Sequence, residues 1–124
     1  MTIILHITTR SQWQQAEQLG EYRADSLASE GFIHCSVPAQ IPGVVERFFQ
    51  GQTNLVLLCI DATQVQAEIR YDAIATGEKF PHIYGGLNLD AVVQVVDFNP
   101  EPNRAVTLPP SVTELLRRAT DDRV

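Results

Sequence analysis

The feature that most constrains the fold is an uninterrupted apolar run, LVLLCI, at residues 55–60. A run of this length bounded by polar residues has the size of a strand and offers no polar face. It predicts a central strand within 54–62 that is buried on both faces. β-Branched and aromatic residues predict four further strands, at 3–7, 32–36, 67–72 and 91–98.

The spacing of apolar residues predicts helices between these strands. A first helix is expected to begin after a cap at Thr9 or Ser11 and to end at Gly20. A helical turn is predicted at 26–30, and a final short helix at 111–119.

Two segments are predicted from their apolar and turn-forming residues. Segment 37–51 is predicted to be a helix, with an apolar stripe formed by Val44, Val45, Phe48 and Phe49. Segment 75–88 holds Pro81 and three glycines, which predicts a long loop with an extended piece in its middle. Because the strands outnumber the helices and are grouped irregularly, we expect one α+β domain over residues 1–124.

Charge and cysteine content narrow the class of protein. A net charge of −6 argues against a general nucleic-acid-binding protein, which normally carries a basic patch. The first ten residues are too short and polar for a signal peptide, and no stretch approaches a membrane span. Cys35 and Cys59 lie in apolar runs, which is typical of small buried residues in a reducing compartment. We expect a cytoplasmic protein.

All three histidines of the chain share one format: His, an apolar residue, then a hydroxyl residue, at 6–8, 34–36 and 82–84. In a strand, residues i and i+2 point to the same face. Each triplet is therefore predicted to present its imidazole and hydroxyl on one face, and several of them to line one polar cleft.

Other interpretations of the histidines stay open. Three imidazoles can form a zinc site with an open fourth position, although none has the short spacing of metal motifs. A single histidine among apolar residues is often a hydrogen-bonded structural residue. Cys35 and His34 are adjacent and point to opposite faces, and Ser36 lies roughly 7 Å from His34 along the strand, so neither pair forms a convincing catalytic dyad.

The stretch FPHIYGG, residues 80–86, combines aromatic side chains with a stiff proline and two flexible glycines. It is suited to stacking on a flat ring, or else its aromatic residues fold back over the core. Arg70 and Asp72 share the polar face of the 67–72 strand, where ion pairing is the default. If that face borders the cleft, Arg70 is placed to hold a phosphate and Asp72 a ribose hydroxyl.

The segments LHITT, GEYRADSL, EGFIHCS, RYD and FPHIYGGLNLDAV, with Trp13 in the first helix, resemble the small bacterial domain-of-unknown-function family 952. The similarity runs from about Ile3 to Val96, which leaves the final helix as a C-terminal extension. The resemblance implies a fold similar to that of the ADP-ribosyltransferases. That fold is a split, bent, mixed β-sheet with flanking helices and a cleft that holds NAD.

The resemblance also suggests roles for individual residues. The HIT triplet at 6–8 stands where such transferases often carry a His-x-Thr motif that contacts the adenosine ribose and the nicotinamide. In the diphtheria-toxin-like transferases, a tyrosine usually follows this motif, and here it is matched by Tyr22 or Tyr84. Asp72 is the nearest acidic residue to the place of the catalytic glutamate, and its side chain is one methylene shorter. The RNA 2′-phosphotransferases of this fold use Arg and His, which Arg70 with a histidine can supply.

We therefore expect the chain to bind a small nucleotide-like molecule, NAD or an ADP-ribosyl group, with NAD as the candidate substrate and no certain cofactor. The predicted catalytic residues are His34, His82 and Asp72. The predicted binding residues are His6, Thr8, Tyr22, Ser36, Arg70 and Tyr84. A non-enzymatic binding module for a small metabolite and a metal-dependent hydrolase are the alternatives, and the sequence leaves the oligomeric state open.

Overall fold

The predicted combination of strands and helices occurs in the computed structural model, which describes residues 1–121. The strands in that part of the chain are β1 (Ile3–Thr9), β2 (Glu21–Tyr22), β3 (Ile33–His34), β4 (Leu55–Asp61), β5 (Glu68–Ala73), β6 (Lys79–Tyr84), β7 (Leu87–Asn88) and β8 (Val92–Phe98). The helices are α1 (Arg10–Leu19), α2 (Asp25–Glu30), α3 (Ile41–Val44) and α4 (Pro110–Asp121). The expected α+β class is confirmed.

The strand β4 lies at the centre of a three-stranded antiparallel sheet, between β1 and β8. All of its residues are buried. Its odd-numbered residues from Leu55 to Cys59 pack in one core with α3 and α4, and its even-numbered residues from Val56 to Ile60 pack in a second core. The prediction of a central strand buried on both faces is confirmed.

A second three-stranded sheet has the order β3-β6-β5. The chain that leaves β3 joins it to the first sheet, because the Cys35 N–H donates to the Pro81 carbonyl at 3.0 Å and the next residue turns to β1. There Ser36 and Leu5 exchange two backbone hydrogen bonds of 2.8 Å each. The segment 33–36 therefore holds the two sheets together.

The expectation of a mixed sheet is wrong. Every strand pairing within residues 1–121 is antiparallel, and these strands form two three-stranded sheets and the separate pair β2–β7. Parallel neighbours need crossover connections of about a dozen residues or more, whereas β5 returns directly to β6 through residues 74–78.

The extended piece predicted in the middle of the loop at 75–88 is a full strand, β6, and it is the middle strand of its sheet. Proline lacks an N–H and rarely occupies a central strand. In an antiparallel ladder, the N–H and C=O of one residue point to the same neighbour. Since the Pro81 carbonyl faces Cys35, its missing N–H also points to the side where β3 has already ended.

The segment predicted as one helix at 37–51 is divided into a 3-10 turn at Pro38–Gln40, then α3, then a π turn at Val45–Phe49. Pro42 and Gly43 interrupt the regular pattern of hydrogen bonds here. The expected apolar stripe is only partly buried, since Val45 is buried while Phe48 is 67% exposed. The register change at the π turn accounts for the difference.

The ends of the chain's helices follow local rules. Thr9 caps α1 by accepting the Gln12 N–H at 3.2 Å, and Gly20 ends it with φ at 82°. The strand predicted at 32–36 is shorter, Ile33–His34, because Ser36 leaves it for β1. The predicted final helix lies within α4. None of the helices in residues 1–121 has both the length and the apolar character that crossing a bilayer requires.

Candidate functional site

The imidazole of His6 lies in the second core, with both nitrogens engaged. Its Nδ1 lies 2.5 Å from the backbone oxygen of His34, and its Nε2 lies 2.7 Å from the Tyr22 hydroxyl. A carbonyl can only accept, so Nδ1 carries a proton. Burial lowers the pKa of His6 to about 4, which keeps the ring neutral near pH 7. Nε2 therefore accepts a hydrogen bond from Tyr22.

Tyr22 also joins His6 to the hydroxyl of its own triplet. The Tyr22 oxygen lies 3.0 Å from Oγ1 of Thr8, which itself lies 2.6 Å from the side-chain amide of Gln12. Burial raises the pKa of Tyr22 to about 12, so its phenol stays protonated. Thr8 donates its own proton to Oε1 of Gln12, so the Tyr22 hydroxyl is shared between His6 and Thr8. The triplet at 6–8 is thus fixed by one tyrosine.

In the triplet at 82–84, a carboxylate bridges the imidazole and the hydroxyl. Oδ2 of Asp72 accepts from His82 Nδ1 at 2.9 Å and from the Tyr84 hydroxyl. Strand register explains the meeting, because β5 and β6 pair Arg70 with His82 and place these side chains on one face. The hydrogen bonds from Tyr84 and then His82 lower the pKa of Asp72, which holds it ionised.

Aromatic packing against its face restricts the His82 ring. Phe32 stacks on it with ring centroids 4.1 Å apart and an interplanar angle of 15°. The same Phe32 meets His34 edge-on at 4.9 Å. Arg70 completes the group, with its guanidinium carbon 4.5 Å from the centre of the Tyr84 ring and an ion pair of 2.9 Å to Glu68.

The third triplet, at 34–36, has no such bridge. The exposed ring of His34 meets Glu30, with Nε2 to Oε2 at 2.8 Å, and Ser36 is held through its backbone. Cys35 points away into the second core, where burial raises the pKa of its thiol. This placement agrees with the expected alternation and leaves no thiolate to act as a nucleophile.

A cavity of about 380 Å³ lies where the two three-stranded sheets separate. Its apolar walls are formed by Leu5, Ile7, Cys35, Val44, Phe48, Phe49, Ile74 and Phe80. Its polar and charged lining is formed by His6, Ser26, His34, Ser36, Arg47 and His82.

The predicted site residues fall into two groups: those that line the cavity and those that do not. His6, His34, Ser36 and His82 line it. Thr8 and Tyr22 lie behind His6, while Asp72, Tyr84 and Arg70 lie beside His82. Thr8 and Tyr84, predicted to line the same cleft as the histidines, do not line this cavity, because the partners that hold them draw both away from it.

Nε2 of His82 is the free nitrogen of a ring that lines this cavity. Among residues 1–119, whose side chains are described, the polar partner of the ring is Asp72, at Nδ1. No fully buried side-chain nitrogen or oxygen in that range lacks a partner, so Nε2 reaches open space. Since His82 is only 5% exposed in all and lines the cavity, we infer that this space is the cavity.

The lining carries charge of one sign. Among the residues whose side chains are described, 1–119, the only permanently charged one in the lining is Arg47, whose Nη2 lies 4.0 Å from Glu78, and none is a carboxylate. Sequence reasoning missed Arg47 because the residue lies outside the apolar stripe of the helix predicted at 37–51. It missed Phe32 because the first residue of a short apolar strand carries no pattern that marks it.

Residues 1–119, whose side chains are described, contain no cluster of three His, Cys, Asp or Glu side chains arranged to hold a metal ion. The glycines at 85–86 do allow a close approach to the backbone, and the group that approaches Gly86 is a side chain of the same chain. A Cβ on Gly86 would lie 2.1 Å from Oε1 of Glu21.

Comparison with known proteins places the chain among relatives. The family described as "Protein of unknown function (DUF952)" matches residues 7–95. The crystal structure of protein CC0527 from Caulobacter crescentus is 29% identical, with a TM-score of 0.78, and the match covers 93% of this chain and 99% of that one. The solution NMR structure of CC0527 is 31% identical, with a TM-score of 0.71 and coverage of 82% and 88%. No curated protein matches the chain.

Proposed function

This chain belongs to the DUF952 family, and we propose that it binds a nucleotide-like ligand, NAD or an ADP-ribosyl group, in the cavity between its two three-stranded sheets. The observation that carries the proposal is the lining of that cavity. Apolar and aromatic walls surround three imidazoles, His6, His34 and His82, and one guanidinium, Arg47.

The size and chemistry of the cavity support a small organic ligand. Its volume of about 380 Å³ falls within the range of pockets that hold small molecules. Such pockets combine apolar walls with a few polar groups that fix orientation. The aromatic side chains of Phe48 and Phe80 offer faces or edges for a flat ring, such as a base or nicotinamide.

The charge of the lining supports a phosphate-bearing ligand. The chain as a whole has a net charge of −6, yet the fixed charge that the described residues place on the cavity wall is positive. A guanidinium binds phosphate oxygens in a planar, bidentate manner. Arg47 is therefore assigned to the phosphates, and the imidazoles to the ribose and the group attached to it.

The arrangement of the sheets supports the comparison with ADP-ribosyltransferases. In that fold, NAD lies in the cleft of a split sheet, and here the segment 33–36 joins two sheets beside a cavity. The His-x-Thr triplet at 6–8 contributes His6 to the cavity wall. The proposed likeness is one of architecture, so the activity is argued from the residues of the cavity.

A non-enzymatic binding module is the second candidate. It is favoured because the nearest acidic residue to the place of the transferase glutamate, Asp72, is bound to His82 and Tyr84 and does not line the cavity. In either case the two buried free thiols, Cys35 and Cys59, suit a reducing, cytoplasmic environment.

Calorimetric titration with ADP-ribose, NAD and nicotinamide tests the proposal. Arg47→Gln should weaken ADP-ribose at least tenfold and leave nicotinamide unchanged, because only the former bears phosphates. Arg104→Gln is the matched control, since Arg104 pairs with Glu101 and does not line the cavity. No binding of any of the three by the wild type at millimolar concentration would overturn the proposal.

A further inference from the structure

We propose that Asp72 and His82 form a general acid–base pair that activates a water molecule in the cavity; this step rests on the proposed binding of NAD. The pair removes a proton from the attacking oxygen, so that the chain hydrolyses the bond between ribose and nicotinamide. The inference gives the site a reaction and assigns the base to an imidazole rather than to a carboxylate.

The geometry assigns the direction of proton transfer. The Asp72 carboxylate can only accept, so the 2.9 Å contact places a proton on Nδ1 of His82. Nε2 then carries a lone pair, and it is this nitrogen that faces the cavity without a partner among residues 1–121. An imidazole held by a carboxylate on one nitrogen and open on the other is the arrangement required of a general base.

Two neighbours keep this arrangement rigid. The Tyr84 hydroxyl donates to the same Oδ2 of Asp72, which fixes the carboxylate. Phe32 stacks on the His82 ring at 4.1 Å and restricts its rotation. Tyr84 and Phe32 are positioning residues, because neither lines the cavity and each acts through the pair.

The proposed step balances in atoms and charge. A water oxygen forms a bond to the anomeric carbon of the nicotinamide ribose while the carbon–nitrogen bond breaks. The bonding electrons leave with the ring nitrogen, which converts the pyridinium to neutral nicotinamide. Nε2 of His82 takes a proton from the water and later releases it to solvent, and the Asp72 carboxylate stabilises the imidazolium formed in between.

Nicotinamide release from saturating NAD, measured by chromatography, tests the pair. Asp72→Asn and His82→Gln should each lower the turnover rate at least 100-fold, the usual contribution of general acid–base catalysis. The dissociation constant of Asp72→Asn for ADP-ribose should change less than threefold, because Asp72 does not line the cavity and all of the lining side chains are retained. Asp97→Asn, a carboxylate on β8 that pairs with Arg10, is the control and should retain the wild-type rate.

Histidine side-chain NMR supplies a readout that does not depend on activity. The wild type should show His82 as the tautomer with its proton on Nδ1, and Asp72→Asn should reduce the share of that tautomer. Failure of wild-type NAD binding overturns the proposed function together with this step. NAD binding without nicotinamide release, or a wild-type rate in Asp72→Asn, overturns the acid–base pair alone.

Discussion

The hydroxyl of Tyr22 lies 2.7 Å from Nε2 of His6, and both side chains are buried. Replacing Tyr22 by Phe removes the donor and leaves a buried nitrogen without a partner. We expect the free energy of unfolding to fall by about 1–3 kcal/mol, the cost of an unsatisfied buried polar group. Urea unfolding measures it. Tyr71→Phe is the matched control, because Tyr71 is 49% exposed, and its change should stay within about 0.5 kcal/mol.

His6 makes stability depend on pH. Its pKa is lowered by burial from 6.5 to about 4, so between these values the unfolded chain binds a proton that the folded chain does not. The free energy of unfolding is therefore not reduced by His6 above pH 6.5. It falls as the pH is lowered towards 4, by roughly 3 kcal/mol in all. In His6→Gln, which cannot titrate, the decline across this window should be clearly smaller. An unchanged decline would refute the assignment.

Gly20 adopts a conformation that side chains disfavour, with φ at 82° at the end of α1. Gly20→Ala should lower the free energy of unfolding by about 1 kcal/mol. Gly43→Ala offers a matched comparison inside α3, where the nearest atom to a new Cβ is Arg47 Nη2 at 3.6 Å. It should be neutral or stabilising, because alanine has the higher helix propensity. Equal effects in thermal unfolding would contradict this account of the helix end.

The reactivity of the two thiols tests whether each core is packed as described. Cys35 and Cys59 are buried, and burial raises the pKa of Cys59 to about 11. Neither should react with a thiol reagent at pH 8 in the folded protein, because reaction requires an exposed thiolate. Both should become reactive in urea. Rapid labelling of either cysteine under native conditions would show that the strand carrying it is placed wrongly.

The sequence predicts best those parts of the fold that depend on a local pattern of residues. The apolar run of β4 and the caps of α1 are local signals, and both were read correctly. For β6 the sequence predicts only an extended piece within a loop, because the tolerance of Pro81 in a central strand depends on where a distant strand, β3, ends. The π turn at Val45–Phe49 was missed because its apolar spacing is that of an ordinary helix.

The candidate site shows the same limit. The His-x-hydroxyl triplets correctly suggested that imidazole and hydroxyl share a face at 6–8 and 82–84. The groups that bridge them, Tyr22 and Asp72, come from other strands, so no spacing within a triplet could identify them. Arg47 reaches the cavity only through the packing of α3 and the π turn against the sheets.

The most direct test of the central claim is an NMR titration of the wild type with ADP-ribose, followed through backbone amide shifts. We predict concentration-dependent shifts at residues that line the cavity, among them Ser26, His34, Arg47 and Ile74. Residues 103–106, which line a separate surface depression, should stay unchanged and serve as the internal reference. Shifts confined to that depression, or none at millimolar ADP-ribose, would contradict a nucleotide site between the two sheets.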